Sequence, residues 1–202
     1  MSTIKTNQLA HTANGAATYT LPQTDGSAGQ VLQTDGSGNL SWVSLPTGGL
    51  LMAQQWKTTS HQTLSTSYVT LNTWQPVGHT GAGSIGTGLT HNSGTFSFPS
   101  TGIYHLSAIG TFQHGSIDMD FLNLGFNVTT NNSTYTRVVN ISGSITQGPN
   151  YEAIAAEYLL DVTDTSNVKF QVTAQDQHSQ ARVFGEANTI MSSLTVMKLG
   201  ET

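Results

Sequence analysis

The stretch Gly94 to Phe112, GTFSFPSTGIYHLSAIGTF, restricts the fold more than any other part of the chain. Phe96 and Phe98 alternate with small polar residues before Pro99, and Tyr104, Leu106, Ala108 and Phe112 recur at even positions after Gly102. A period of two marks half-buried strands, because successive side chains on a pleated backbone point to opposite faces. The pattern predicts two strands paired through a Pro-containing turn, with Phe96, Phe98, Tyr104, Leu106 and Phe112 lining a core. The opposite parity, which carries His105, is expected to meet neighbouring subunits in an assembly.

The same period continues downstream. Strands are predicted near 51 to 57, 66 to 75, 94 to 99, 102 to 113, 119 to 129, 134 to 145, 151 to 162, 167 to 175 and 189 to 199. Only Glu152 to Asp161 has helical propensity, yet YEAIAAEYLLDV alternates Ile154, Ala156, Tyr158, Leu160 and Val162 on one parity and runs into the turn residues Thr163 to Ser166. About nine short strands separated by Gly, Asn and Ser turns define an all-β β-sandwich or jelly roll.

Charge supports that class and excludes others. Asp, Glu, Lys and Arg make up 8% of the 202 residues, with a net charge of −5, against roughly 25% in an ordinary soluble domain. The six Lys and Arg are scattered, so no stripe exists to track phosphates and no nucleic-acid partner is expected. The chain has no Cys, which leaves packing or subunit association to supply stability. No apolar run approaches the ~20 residues of a membrane span, and the opening MSTIKTNQLAHTANG has no signal-peptide core, so neither membrane insertion nor conventional export is expected.

The first quarter differs from the rest. Ile4, Leu9 and Tyr19 are isolated among polar residues, and residues 1 to 20 are expected to order only against a partner. Residues 24 to 43 repeat TDGSAGQVLQ as TDGSGNLSWV; each copy opens with Asp-Gly, suited to a tight turn with positive φ, and continues into a short strand, 30 to 33 and then 40 to 43. A two-stranded hairpin is marginal alone, so Val31, Leu32, Leu40 and Trp42 are expected to need a docking surface. Leu45-Pro46-Thr47-Gly48-Gly49 reads as a hinge between an extended segment, 1 to 46, and a head domain, 47 to 202.

Two resemblances follow from these strings. GQVLQTDGSGNLSW (Gly29 to Trp42), with ATYTLP and STIKTNQL before it, is similar to the N-terminal segments of tailed-bacteriophage fibre and other virion structural proteins, where the segment lies at the virion-proximal end. FSFPSTGIYHLSA (Phe96 to Ala108), the closing SSLTVMKL and the apolar first strand from Leu51 to Trp56 resemble the tumour-necrosis-factor-like jelly roll, especially the head of complement C-one-q-type proteins. The resemblances imply a homotrimer located on the exterior of a phage particle. Its segment residues Ile4, Leu9, Tyr19, Val31, Leu32, Leu40 and Trp42 would hold capsid, portal or tail components, and its head would contact a host-surface glycan or protein. The family's collagen-like stalk is absent between the two parts, so a trimer would be held by the head and the N-terminal segment.

Catalytic and metal motifs are sparse. Gly81 to Gly86 matches G-x-G-x-x-G, but no helix pattern follows it, so it reads as a flexible loop and no cofactor is expected. The seven His residues lack H-x-H or H-E-x-x-H spacing; His105 and His114 would meet their own copies on a threefold axis, while a surface or hydrogen-bonded role is the simpler reading. Asp118 and Asp120 share a parity but supply too few oxygens for Ca²⁺. Asp176-Gln177-His178-Ser179 contains triad residue types without a nucleophile elbow, and no enzyme is expected. Trp56, Tyr68, Trp74, Tyr135 and Tyr151 would stack on sugars only if exposed, and the loops 76 to 94, 113 to 118, 146 to 150 and 176 to 188 are the expected places for distal contacts.

The reading that results is a trimeric phage fibre or spike. A capsid-decorating head fibre is the first alternative, and a soluble carbohydrate-binding head unrelated to virions the second.

Overall fold

The computed structural model describes residues 6–10, 18–44, 50–114, 117–148 and 150–202, which divide into two compact units, Met1–Gly49 and Leu50–Thr202. Ile4 and the Leu45–Gly49 hinge lie outside the described residues. Among the described residues every regular element is a strand.

In the first unit, Gln8–Ala10 (β1) pairs antiparallel with Thr18–Thr20 (β2), which sets Leu9 opposite Tyr19. The described residues 6 to 10 and 18 to 20 therefore find partners within the unit, where the expectation was that this segment orders only against another protein: the Thr20 N–H donates to Gly38 O at 2.8 Å and that of Leu21 to Asn7 O at 3.0 Å. Gln30–Thr34 (β3) pairs with Leu40–Ser44 (β4), with Leu32 opposite Trp42 and Val31 opposite Val43.

The two copies of the repeat do different work. In the second, Asp35 accepts from the backbone N–H of Ser37 at 2.8 Å and of Asn39 at 3.1 Å and from Asn39 Nδ2 at 2.7 Å, while Gly36 and Gly38 take φ of 78° and 91°. The Asn39 amide, with the two backbone donors, holds the Asp35 carboxyl below the ordinary carboxylate range. In the first copy Gly26 has no positive φ; a Cβ there would stand 2.6 Å from Trp42 Cδ2, so the Gly makes room for the indole, whose Nε1 donates to Thr24 O at 2.9 Å. The expected first Asp-Gly turn is thus a cover over Trp42.

The second unit is a sandwich. Its strands in chain order are Met52–Thr58 (β5), Gln62–Thr63 (β6), Val69–Thr70 (β7), Trp74–Pro76 (β8), Thr90–Asn92 (β9), Thr95–Ser97 (β10), Gly102–His114 (β11), Met119–Thr129 (β12), Thr136–Ile145 (β13), Asn150–Val162 (β14), Lys169–Asp176 (β15), Arg182–Val183 (β16) and Ser193–Gly200 (β17). One sheet runs β14-β11-β17-β5-β8, with β16 and β6 continuing beside the end of β11; the other runs β13-β12-β15-β10-β9, with β7 on β15.

Alternation placed the core as expected. Tyr104, Leu106, Ala108 and Phe112 of β11 and Ile154, Ala156, Leu160 and Val162 of β14 are buried, facing Leu124, Phe126 and Val128 of β12 and Phe170, Val172 and Ala174 of β15. Aromatic rings fill the centre: Phe96 stacks on Phe170 at 4.9 Å, and Trp56 meets Phe96 edge-on at 5.3 Å.

The strands around Pro99 are not a hairpin, however. β10 pairs with β15 and β9, whereas β11 pairs with β14, β16 and β17, so the chain crosses from one sheet to the other between them. Both strands keep their aromatic parity inward, and the rings meet across the layer, Phe98 lying 4.6 Å from Tyr104. The Tyr104 hydroxyl donates to Ser100 O at 3.0 Å and holds the crossing in place.

The strand expected over 66 to 75 breaks for a similar reason. β7 joins β15 and β8 joins β5, on opposite sheets, with the chain passing across at Leu71, Asn72 and Thr73. β6, β9 and β16 were not anticipated, being two or three residues long and too short to carry a period. The last strand starts at Ser193.

Candidate functional site

The outer face of the β14-β11-β17 sheet is a feature that the core does not explain. On β14 the parity opposite the core carries Tyr151, Ala153, Ala155, Glu157 and Leu159. Leu159 is 60% exposed, Tyr151 53%, and Ile109 of β11 43%. Register sets Leu159 beside His105 and His105 beside Met197, and places Ala155 beside Ile109. The face is therefore apolar at its corners and small-residued between them, which lets another surface approach closely.

Its interior ionisable groups are His105 and Glu157, with Nε2 and Oε2 3.8 Å apart and the carboxylate largely exposed. Such a pair contributes little by itself. Of the residues expected at a core or subunit interface, Phe96, Phe98, Tyr104, Leu106 and Phe112 are core and only His105 reaches the outer face.

Sequence reasoning missed Ile109 and Leu159 as surface features, and named Tyr151 only as a sugar-stacking candidate. A signal existed in the consecutive Leu159-Leu160, since a strand must put one of two neighbouring Leu residues on each side.

In the N-terminal unit, Leu9, Tyr19, Val31 and Leu32 are exposed, while Leu40 and Trp42 are half-buried. Exposure of four large apolar side chains on so small a unit leaves them available for docking.

The remaining candidates resolve into structural roles. His61 Nδ1 accepts from the Gly185 N–H at 3.2 Å and its ring lies 4.0 Å from Phe184. His79 Nε2 meets Lys57 Nζ at 3.1 Å, and His91 Nε2 accepts from the Gly94 N–H at 3.0 Å. Burial pushes the His91 pKa below its ordinary value of 6.5, in keeping with a ring that must stay neutral to accept there. No three metal-ligating side chains converge among the described residues, and the His114 side chain lies outside them.

Asp118 accepts from the Gln147 N–H at 2.6 Å, and Asp120 from Gln177 Nε2 at 3.1 Å. The Asp176 carboxylate is wholly buried and accepts three backbone N–H groups, those of Ser179 at 2.8 Å, Gln180 at 2.7 Å and Ala181 at 2.6 Å. It closes a turn and orients no imidazole.

The glycine-rich loop, read from sequence as a flexible loop, is tied to β5 at its Ile85–Gly86 end. Ala53 and Ile85 exchange backbone hydrogen bonds at 3.1 and 2.9 Å, and a Cβ on Gly86 would stand 2.3 Å from Leu51 O. No helix follows it.

Among the aromatics considered for sugar stacking, Trp56 and Trp74 are buried and Tyr68 lies under the Arg137 guanidinium, 3.0 Å from its ring centroid. Tyr135 is half-buried. Tyr151 alone among them is well exposed; its hydroxyl accepts from Gln113 Nε2 at 2.9 Å.

These sheets and their packing define a TNF-like jelly roll. Murine APRIL is similar in fold, at 12% identity over 73% of this chain and 98% of its own, with a TM-score of 0.52. Eiger TNF from S. frugiperda is similar at 12% identity over 76% of this chain and 96% of its own, with a TM-score of 0.53. At such identity the likeness is one of fold. No family model and no curated protein matches the sequence.

Proposed function

We propose that the protein is a homotrimeric phage virion structural protein, a fibre or spike whose N-terminal unit docks on the particle and whose jelly-roll head contacts the host surface. The observation that carries the assembly is the outer face of β14 and β11, where Leu159, Ile109 and Tyr151 stand exposed around Ala153 and Ala155. Water is a poor neighbour for that face, and a threefold assembly of TNF-like heads would cover it, burying an area that for obligate interfaces exceeds ~2,000 Å². The virion role is supported by the N-terminal string Gly29 to Trp42 and by the four apolar side chains that its unit leaves exposed. The role is binding and structural, without catalysis.

Native mass measurement tests the assembly: a species of about three times the 21.4 kDa chain mass is expected, and a stable single chain at micromolar concentration refutes it. Deletion of residues 1 to 46 is expected to abolish incorporation into particles while leaving the trimer. Loss of adsorption by particles lacking the protein supports the fibre reading; unchanged adsorption with fragile heads would transfer the assignment to capsid decoration.

A further inference from the structure

The crossing at Pro99 brings a buried cation to the surface end of the sandwich. Lys198 continues the inward parity of β17 after Leu194 and Val196, yet it is charged and only 6% exposed. Its stem runs over Gly102, where φ is +139° and an added Cβ would stand 2.3 Å from Lys198 Cε and 2.5 Å from Gly200 O. The Gly of the FSFPSTGIY string thus makes room for this lysine. Nζ donates to Ser100 Oγ at 3.2 Å, and Ser100 Oγ lies 3.2 Å from the Tyr104 hydroxyl, so the string's Ser, Gly and Tyr all bear on one ammonium group.

A buried ammonium group needs an anion. Among the described residues its carboxylate partner is Glu201, at 2.8 Å. Glu201 follows the end of β17, and its side chain is 68% exposed. The ammonium group needs a negative neighbour, but the carboxylate that supplies it is solvated and held on a long side chain, so another anion can take its place. Glu201 is therefore a displaceable counter-ion.

Beside the ammonium group lies a cavity of 330 Å³, bounded by Leu51, Met52, Thr87, Pro99, Ser100 and Lys198, with the Glu201 counter-ion itself part of its rim. That volume falls at the lower end of the ~300–1,000 Å³ of small-ligand clefts. Its lining is divided: Leu51, Met52 and Pro99 offer an apolar wall, and Thr87 and Ser100 offer hydroxyls.

We propose that this cavity is a binding site for an acidic sugar unit, whose carboxylate replaces Glu201 on Lys198 and Ser100 while its ring lies against Leu51, Met52 and Pro99. One cation matches one carboxylate. A phosphate dianion would leave charge unneutralised in a chain already at −5. Hydroxyls that both donate and accept suit Thr87 and Ser100, and the C–H face of a ring suits the apolar wall. The proposal rests on the reading that the head contacts the host surface and names the chemistry it would contact there.

The test is a titration of the isotope-labelled full chain by NMR with glucuronate, with glucose and acetate as controls. Glucuronate is expected to produce saturable shifts at Ser100, Thr87 and Lys198, glucose none, and acetate binding at least tenfold weaker. Glu201→Gln removes the competing charge while keeping the size of this rim side chain and leaving Leu51, Met52 and Pro99 in place, and is expected to tighten glucuronate about three- to fivefold, because the binding-competent fraction rises. A wholly structural ion pair predicts no such gain. Lys198→Met is expected to abolish binding, with an otherwise native spectrum confirming the fold; should it fail to fold, Ser100→Ala carries the test, with about a fivefold loss expected.

Absence of saturable shifts in both parent and Glu201→Gln overturns the site, and acetate binding as tightly as glucuronate overturns the sugar. The trimer mass and the adsorption assay stand apart from these outcomes, so failure here is distinguishable from failure of the virion reading.

Discussion

Replacing Asp176 by Ala tests whether a carboxylate that looks catalytic by residue type is a structural keystone. In the parent its two oxygens accept the N–H groups of Ser179, Gln180 and Ala181, at 2.8, 2.7 and 2.6 Å. Ala181 is fully buried, so water cannot replace the lost acceptor and its N–H is left unpaired at a cost of about 1–3 kcal/mol. Ser179 and Gln180 are exposed, and their N–H groups would rehydrate, losing about 0.5–1.5 kcal/mol each as ordinary hydrogen bonds. Together these come to about 2–6 kcal/mol. In a domain of this size that lowers Tm by about 2–4 °C per kcal/mol, hence roughly 4–24 °C.

Thermal unfolding of the full chain, followed by calorimetry at neutral pH, measures the effect. Asp176→Asn keeps one acceptor and should fall between the parent and Asp176→Ala. A Tm within about 2 °C of the parent for the Ala variant would refute the reasoning, because the turn would then be held by something other than the carboxylate.

Other perturbations bear on other parts of the molecule. Leu159→Asp should turn the proposed trimer into single chains: burial of a side chain 60% exposed in the isolated chain is lost, a charge is introduced, and together these cost on the order of 3–5 kcal/mol per interface, read by native mass measurement. Gly26→Ala forces the Trp42 indole outward from a 2.6 Å approach; a red-shifted tryptophan emission component is expected, and loss of incorporation if the proposed virion docking is right, with the head Tm unchanged. His91 has a pKa lowered by burial, so its contribution to stability is complete above its ordinary value of 6.5 and is lost as pH falls through the folded value. His91→Gln should flatten that acid limb of a Tm-against-pH curve, and an unaltered limb would assign it to other groups.

Much of the head was readable from residues alone because its signal is local. Tyr104, Leu106, Ala108 and Phe112, and Ile154, Ala156, Leu160 and Val162, face inward because a pleated backbone sends alternate side chains to opposite sides wherever it lies. The scarcity of charge and the closely spaced turn residues pointed to an all-β sandwich for equally local reasons. The second Asp-Gly turn followed from the same chemistry, an Asp that caps its own turn and Gly residues at positive φ.

Tertiary structure decided what depends on partners distant in sequence. Phe96, Phe98 and Tyr104 announce two inward-facing strands, and that description fits a hairpin in one sheet as well as a crossing between two. Only the pairing of β10 with β15 and of β11 with β14 and β17 separates these possibilities. Gly26 looks like a turn residue until Trp42 lies across it. Lys198 looks like a surface charge at the end of a strand until Gly102, Ser100 and Glu201 enclose it. Periodicity determines which way a side chain points relative to its own backbone; the folded chain alone determines what stands on the other side.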